Sequence, residues 1–150
     1  MTETTHILQA KLQRAATDVW YAINGRCAVT LVAYYAQGSS GDGNAIISTL
    51  SLGDQSSTIE SVLARWAESE VPARDPLVWV PDAFQLKQIA EQVRNAMPFA
   101  VRFAIFFGAS HDSIYVSFAE RAEMQRFLEE KMLPHLRARQ AVAPQPGGDG

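Results

Sequence analysis

Apolar and polar positions in this chain change rhythm several times, and each change marks an element. Leu8, Leu12, Ala15, Ala16, Val19 and Ile23 recur at helical spacing, with Gln9, Gln13, Arg14 and Asp18 on the opposite side. Thr4 or Thr5 can cap this helix, and Gly25 sits where a C-terminal glycine belongs. From Arg26 to Ala36 the chain becomes a nearly unbroken apolar run rich in β-formers, as expected of a strand inside a sheet. A Gly/Ser-rich connection, 38–44, leads to a second strand over Ala45–Leu52, its hairpin partner. Asp54, Ser56 or Ser57 then caps a helix striped by Ile59, Val62, Leu63 and Trp66.

Pro72 and Pro76 mark a hinge-like connector, and 77–80 reads as a short segment suited to a sheet edge. Asp82 and Gln85 have the spacing of a capping box, opening a helix with Leu86, Ile89, Ala90, Val93 and Met97 on one face before Pro98. Phe99–Phe107 is the strongest strand signal; a turn over 108–113 joins it to a partner strand, Ile114–Phe118. Ser117 with Glu120 offers another capping box. The last helix carries Met124, Phe127, Leu128 and Met132, and Pro134 is expected to end or kink it near Met132 or Leu133. From Arg139 onward the Pro/Gly-rich composition predicts disorder. The expectation is therefore one α+β domain over 1–138 and a tail over 139–150. Its sheet is mostly antiparallel, of about four or five strands, with helices packed chiefly on one face.

Both halves read helix–strand–strand–helix. Ala28–Tyr35 aligns without gaps on Ala100–Phe107 at a constant offset of 72 (100 − 28), the pattern of an internal αββα repeat. Alternation along the paired strands sorts their side chains onto two faces. Cys27, Val29, Leu31, Ala33 and Tyr35 share one with Phe99, Val101, Phe103, Ile105 and Phe107, and this bulky apolar set is the expected core. Thr30, Tyr34, Arg102, Phe106 and Tyr115 fall on the other face. An unpaired guanidinium is costly to bury, so that face is expected to meet solvent or a partner.

Composition adds bounds. At 150 residues, 47% hydrophobic and 19% charged, the chain can bury a core without disulfides or metal. A net charge of −3 argues against a general nucleic-acid binder. Cys27 is the sole cysteine, no basic leader with an apolar run opens the chain, and no stretch suits a membrane helix, so a cytoplasmic protein is expected.

The candidate chemistry is sparse. The 38–44 loop lacks the Gly-Lys-Ser/Thr ending of a phosphate loop and joins strand to strand. Ser110, His111, Asp112 and Ser113 hold the residue types of a hydrolase triad, but neighbours in one turn cannot act in series. Cys27 follows Arg26 yet points toward the core, and His6, His111 and His135 lack ligand-spaced partners. The cations of the last helix are interleaved with glutamates, as on a solvated face. No cofactor or metal is expected.

In order of elements, size and mild acidity the chain resembles class I type III secretion chaperones and roadblock-type modules. The resemblance is architectural and carries no motif. The chaperone pattern has three strands before its second helix where two are counted here, so no residue role transfers. The leading expectation is a non-catalytic interaction or adaptor module, homodimeric, acting through the face that holds Thr30, Tyr34, Arg102, Phe106 and Tyr115. The alternative is a small-ligand protein or enzyme whose pocket gathers loop residues Asp42, Asn44, His111 and Asp112. A nucleic-acid adaptor that stacks bases on Tyr34, Phe106 and Tyr115 beside Arg102 comes third.

Overall fold

The computed structural model describes residues 3–36, 43–67, 79–109 and 113–142. Helix α1 (Glu3–Ala22) leads into β1 (Val29–Tyr35) and β2 (Asn44–Ser48), followed by α2 (Leu52–Ala67). The second half repeats the order with α3 (Ala83–Ala96), β3 (Val101–Phe107), β4 (Ile114–Phe118) and a terminal helical rod. The rod comprises α4 (Arg121–Phe127), a π turn (Leu128–Met132) and α5 (Leu133–Val142). The four strands form one antiparallel sheet in the order β2-β1-β3-β4. The fold is α+β, as expected.

The expected repeat corresponds to a pseudo-dyad. β1 and β3 pair so that Val32 faces Ala104, the very positions that the offset of 72 (104 − 32) makes equivalent. An axis through that pair carries β1 onto β3, β2 onto β4, α1 onto α3 and α2 onto the terminal rod.

Helices cover both sheet faces, not chiefly one. The stripe of α1 and residues Ile89, Val93 and Met97 pack on Val29, Leu31, Phe103, Ile105 and Phe107. On the opposite face Ile59, Val62 and Trp66 of α2, with Met124, Leu128 and Leu136 of the rod, bury Val32, Tyr34, Ala104 and Phe106. Each helix has one apolar stripe and there are enough stripes for both faces, so neither face stays wet.

Local signals hold in part. Gly25 has φ +64°, and a Cβ there would lie 2.7 Å from the Trp20 ring, so both backbone and neighbour require glycine. Asp82 and Gln85 form the reciprocal capping box: the Gln85 N–H donates to Asp82 Oδ1 (2.8 Å) and the Asp82 N–H to Gln85 Oε1 (3.0 Å). Helix α2 starts earlier than expected, with Ser51 Oγ accepting the Asp54 N–H. Ser117 stays in β4, and Glu120 precedes the rod without a side-chain cap. The third strand starts at Val101, because a turn in which the Val101 N–H donates to the Pro98 carbonyl leaves Phe99 outside. Trp79 and Val80 lie in no strand.

Pro134 does not end the last helix. The Leu133 N–H donates to the Leu128 carbonyl, five residues back, so the backbone is already widened where the proline ring enters. The π turn also re-aims the rod. In a regular α-helix Leu136 would stand about 120° round from Met124. The extra residue takes back roughly 100° of that, and both side chains are buried on the same core. The helix therefore runs past residue 138 to Val142, while 143–150 of the expected tail lie outside the described residues.

Candidate functional site

The face expected to be open is closed within the chain itself. Thr30 and Phe106 are fully buried and Tyr34 retains 8% exposure. Thr30 hides its hydroxyl by pairing with Ser48 Oγ at 2.6 Å, which removes the polar penalty that would have kept it wet. Tyr34 stacks on Phe127 at 4.2 Å between ring centroids. Its hydroxyl is buried close to the Glu123 carboxylate but makes no well-formed hydrogen bond. Burial first, then the nearby Glu123 carboxylate, pushes that hydroxyl well above the ordinary tyrosine pKa, with Arg102 opposing. Arg102 is half-buried where the row ends and approaches Glu123 at 3.9 Å. Tyr115 packs edge-on to Trp66 at 4.9 Å and accepts a hydrogen bond from Arg121 at 3.2 Å. These five residues belong to a second core and its rim, not to a free recognition surface.

The loop alternative is not assembled among the described residues. Asp42, His111 and Asp112 lie outside them, and Asn44 begins β2. Next to that turn, Arg65 reaches from α2 and donates through Nη1 to the Ser113 carbonyl (2.7 Å) and through Nη2 to Ser113 Oγ (2.8 Å). That fork anchors the start of β4, a structural task well suited to a planar guanidinium. No group of three His, Cys, Asp or Glu that could hold a metal occurs among the described residues. Cys27 is half-buried and burial raises its pKa, the opposite of an activated thiol. No helix is long and apolar enough to cross a membrane, among the described residues.

The sheet ends in two free edges, β2 and β4, and the β2 edge can be followed residue by residue. The Thr49 N–H donates to the Val29 carbonyl and the Tyr35 N–H to the Gly43 carbonyl. With the β1–β2 register, this turns positions 43, 45, 47 and 49 toward β1. The amides and carbonyls of Asn44, Ile46 and Ser48 therefore point outward, at the end of the sheet.

Two clefts open in succession along that edge. The first, at the Asn44 end, is lined by Gly43–Ile46 with Gln9 from α1 and His135 and Arg139 from α5. The second, at the Thr49 end, lies between α1 and the strand, with Ala16, Thr17, Trp20 and Tyr21 facing Ile47 and Thr49. Tyr21 is 74% exposed and Trp20 38%, the latter braced against Gly25. Burial, and then the neighbouring Arg139, lower the His135 pKa. Arg139 has no ion pair among the described residues.

The β4 edge also leaves its outward backbone groups without a partner strand, but the ring side chains beside it are already engaged. On β4 the Phe118 ring already carries the Arg94 guanidinium at 4.7 Å and stacks on Phe103 at 5.7 Å. Tyr115, on the other face, is taken by Trp66 and Arg121.

Sequence reasoning passed over this edge, because no residue type announces which strand lies outermost. One signal was available. Trp20 and Tyr21 are adjacent on a helix and stand about 100° apart, so they cannot both join the narrow core stripe. No family model matches the chain, and no curated protein or solved structure is significantly similar to it.

Proposed function

We propose that this domain is a non-catalytic protein-interaction module that receives an extended segment of a partner along β2. The observation that carries the reading is the outward row of Asn44, Ile46 and Ser48 amides and carbonyls flanked by two clefts. A main-chain edge supplies affinity through ladder hydrogen bonds, and flanking clefts supply side-chain selectivity; this is the logic of strand addition. Exposed aromatics such as Trp20 and Tyr21 are the residue types that anchor such contacts. The interaction role expected from sequence is kept, but it moves from a sheet face to a sheet edge.

The test is affinity purification with the parent chain and with Asn44→Pro. Proline at the first position of an edge strand spares the fold but removes an outward donor. The parent is expected to retain a partner that the variant loses. Hydrogen exchange at the Asn44, Ile46 and Ser48 amides should slow in the parent's complex. A partner held equally by the variant, with those three amides still exchanging freely, would refute the edge.

A further inference from the structure

Resting on the strand-addition reading, we infer that the received segment belongs to another protein and has defined chemistry. It carries a carboxylate facing α5 at the Asn44 end and a bulky apolar side chain facing α1 at the Thr49 end.

The charge of the edge comes first. Among the described residues lining the two clefts, none is acidic, and Arg139 is the one Lys or Arg. A guanidinium beside a row of backbone donors favours an incoming carboxylate, through charge-assisted hydrogen bonds and longer-range attraction. The other end offers no charge at all. Ala16, Trp20 and Ile47 present a mostly apolar notch, which an aliphatic or aromatic side chain fills.

Spacing follows from the faces. The residues of α1 belong to the core on one side of the sheet and those of α5 to the core on the other. Successive side chains of an added strand alternate between faces, so its acidic and apolar anchors are separated by an odd number of positions. Asn44 and Thr49 are 5 positions apart (49 − 44). At roughly 3.3 Å per residue, a separation of about three or five fits between the clefts.

A second copy of the chain is the competing occupant. Antiparallel pairing of β2 with itself about Ile46 satisfies the same backbone groups. However, a dyad normal to the sheet keeps each face on its own side. It therefore leaves an Arg139 guanidinium near each end of one seam, with no carboxylate among the described lining residues for either to meet. A self-pair gives neither guanidinium a counter-charge, whereas an acidic segment supplies one, which makes an acidic partner the better fit.

The probes are acetylated, amidated nine-residue peptides of alternating Thr and Val, with Glu and Leu five positions apart in either chain direction. Matched controls carry Lys for Glu. Fluorescence anisotropy in low salt is read with the parent chain and with Arg139→Glu, an exposed position whose reversal does not threaten folding. One chain direction of the Glu peptide is expected to bind about tenfold or more tighter than its Lys control. In Arg139→Glu that preference should vanish or invert. Hydrogen exchange at Asn44, Ile46 and Ser48 locates the peptide.

Equal binding of Glu and Lys peptides with those amides protected would overturn the inference and leave strand addition standing. Protection that grows with protein concentration alone would assign the edge to a second copy. Absence of any protection, with peptides or without, would overturn both readings.

Discussion

Truncating Phe106 tests whether the second sheet face is a core. The ring is fully buried, with Val32, Ile59 and Met124 in the same cluster and Tyr115 at 6.5 Å between centroids. Phe106→Ala removes that ring and leaves a cavity beneath helices that are held elsewhere and cannot fully collapse. The expected loss is about 3–5 kcal/mol, lowering the thermal midpoint by about 10 °C in a domain of this size. Phe103→Ala is the twin on the opposite face, where Phe103 is also buried and stacks on Phe118, so it should cost a similar amount. Urea unfolding of the parent and both variants, followed by circular dichroism and tryptophan fluorescence, gives the comparison. An unchanged denaturant slope confirms that stability, not the extent of unfolding, has moved. If Phe103→Ala shows its full loss while Phe106→Ala loses less than about 1 kcal/mol, the second face is open in solution. Helices α2 and α4–α5 would then not be a lid on a core, and Thr30, Tyr34 and Phe106 would again be candidates for recognition.

Two further substitutions probe the buried polar groups. The Tyr34 hydroxyl makes no well-formed hydrogen bond, so Tyr34→Phe should leave stability at pH 7 unchanged or raise it by up to about 1 kcal/mol. Because the folded-state pKa of Tyr34 is raised, its contribution is complete below about pH 10 and is lost as pH climbs from there toward the folded value. Tyr34→Phe should therefore lose less stability than the parent between neutral pH and about pH 11, and a variant clearly weaker at pH 7 would show that the hydroxyl is bonded in solution. Arg65→Lys keeps the charge but not the fork onto Ser113, and should cost about 1–3 kcal/mol in urea unfolding. A lysine variant as stable as the parent would mean that charge alone anchors β4.

Much of the fold was legible because packing imposes periodicity. The stripes of Leu8 to Ile23 and of Ile89 to Met97 predict their helices, and the offset between Ala28–Tyr35 and Ala100–Phe107 predicts the central strand pair. What misled was reading polar atoms as markers of solvent. Thr30 is polar by type but satisfied by Ser48 inside the structure, and Tyr34 is buried on the strength of its ring despite its hydroxyl. Arg102 reaches the rim beside Glu123, so its presence did not open the face around it. Pro134 marked an irregularity and not an end, since a π turn over Leu128–Met132 absorbs what a regular helix could not. The β2 edge depends on which strands pair centrally, a long-range fact that no window of sequence contains.

The pseudo-dyad at Val32 and Ala104 also bears on how the chain reaches this structure. Each αββα half holds a hairpin that can form from nearby residues, while the β1–β3 seam must close a loop of 72 residues (104 − 32). A chain of stacked repeats could fold one unit at a time. This one cannot, because each half sends one helix to either side of the sheet. Helix α1 shares its core with α3, and α2 shares the other with the terminal rod. Neither half owns a complete core, so the two repeats are expected to fold and unfold as a single cooperative unit, with docking of β1 on β3 as the step that commits the chain.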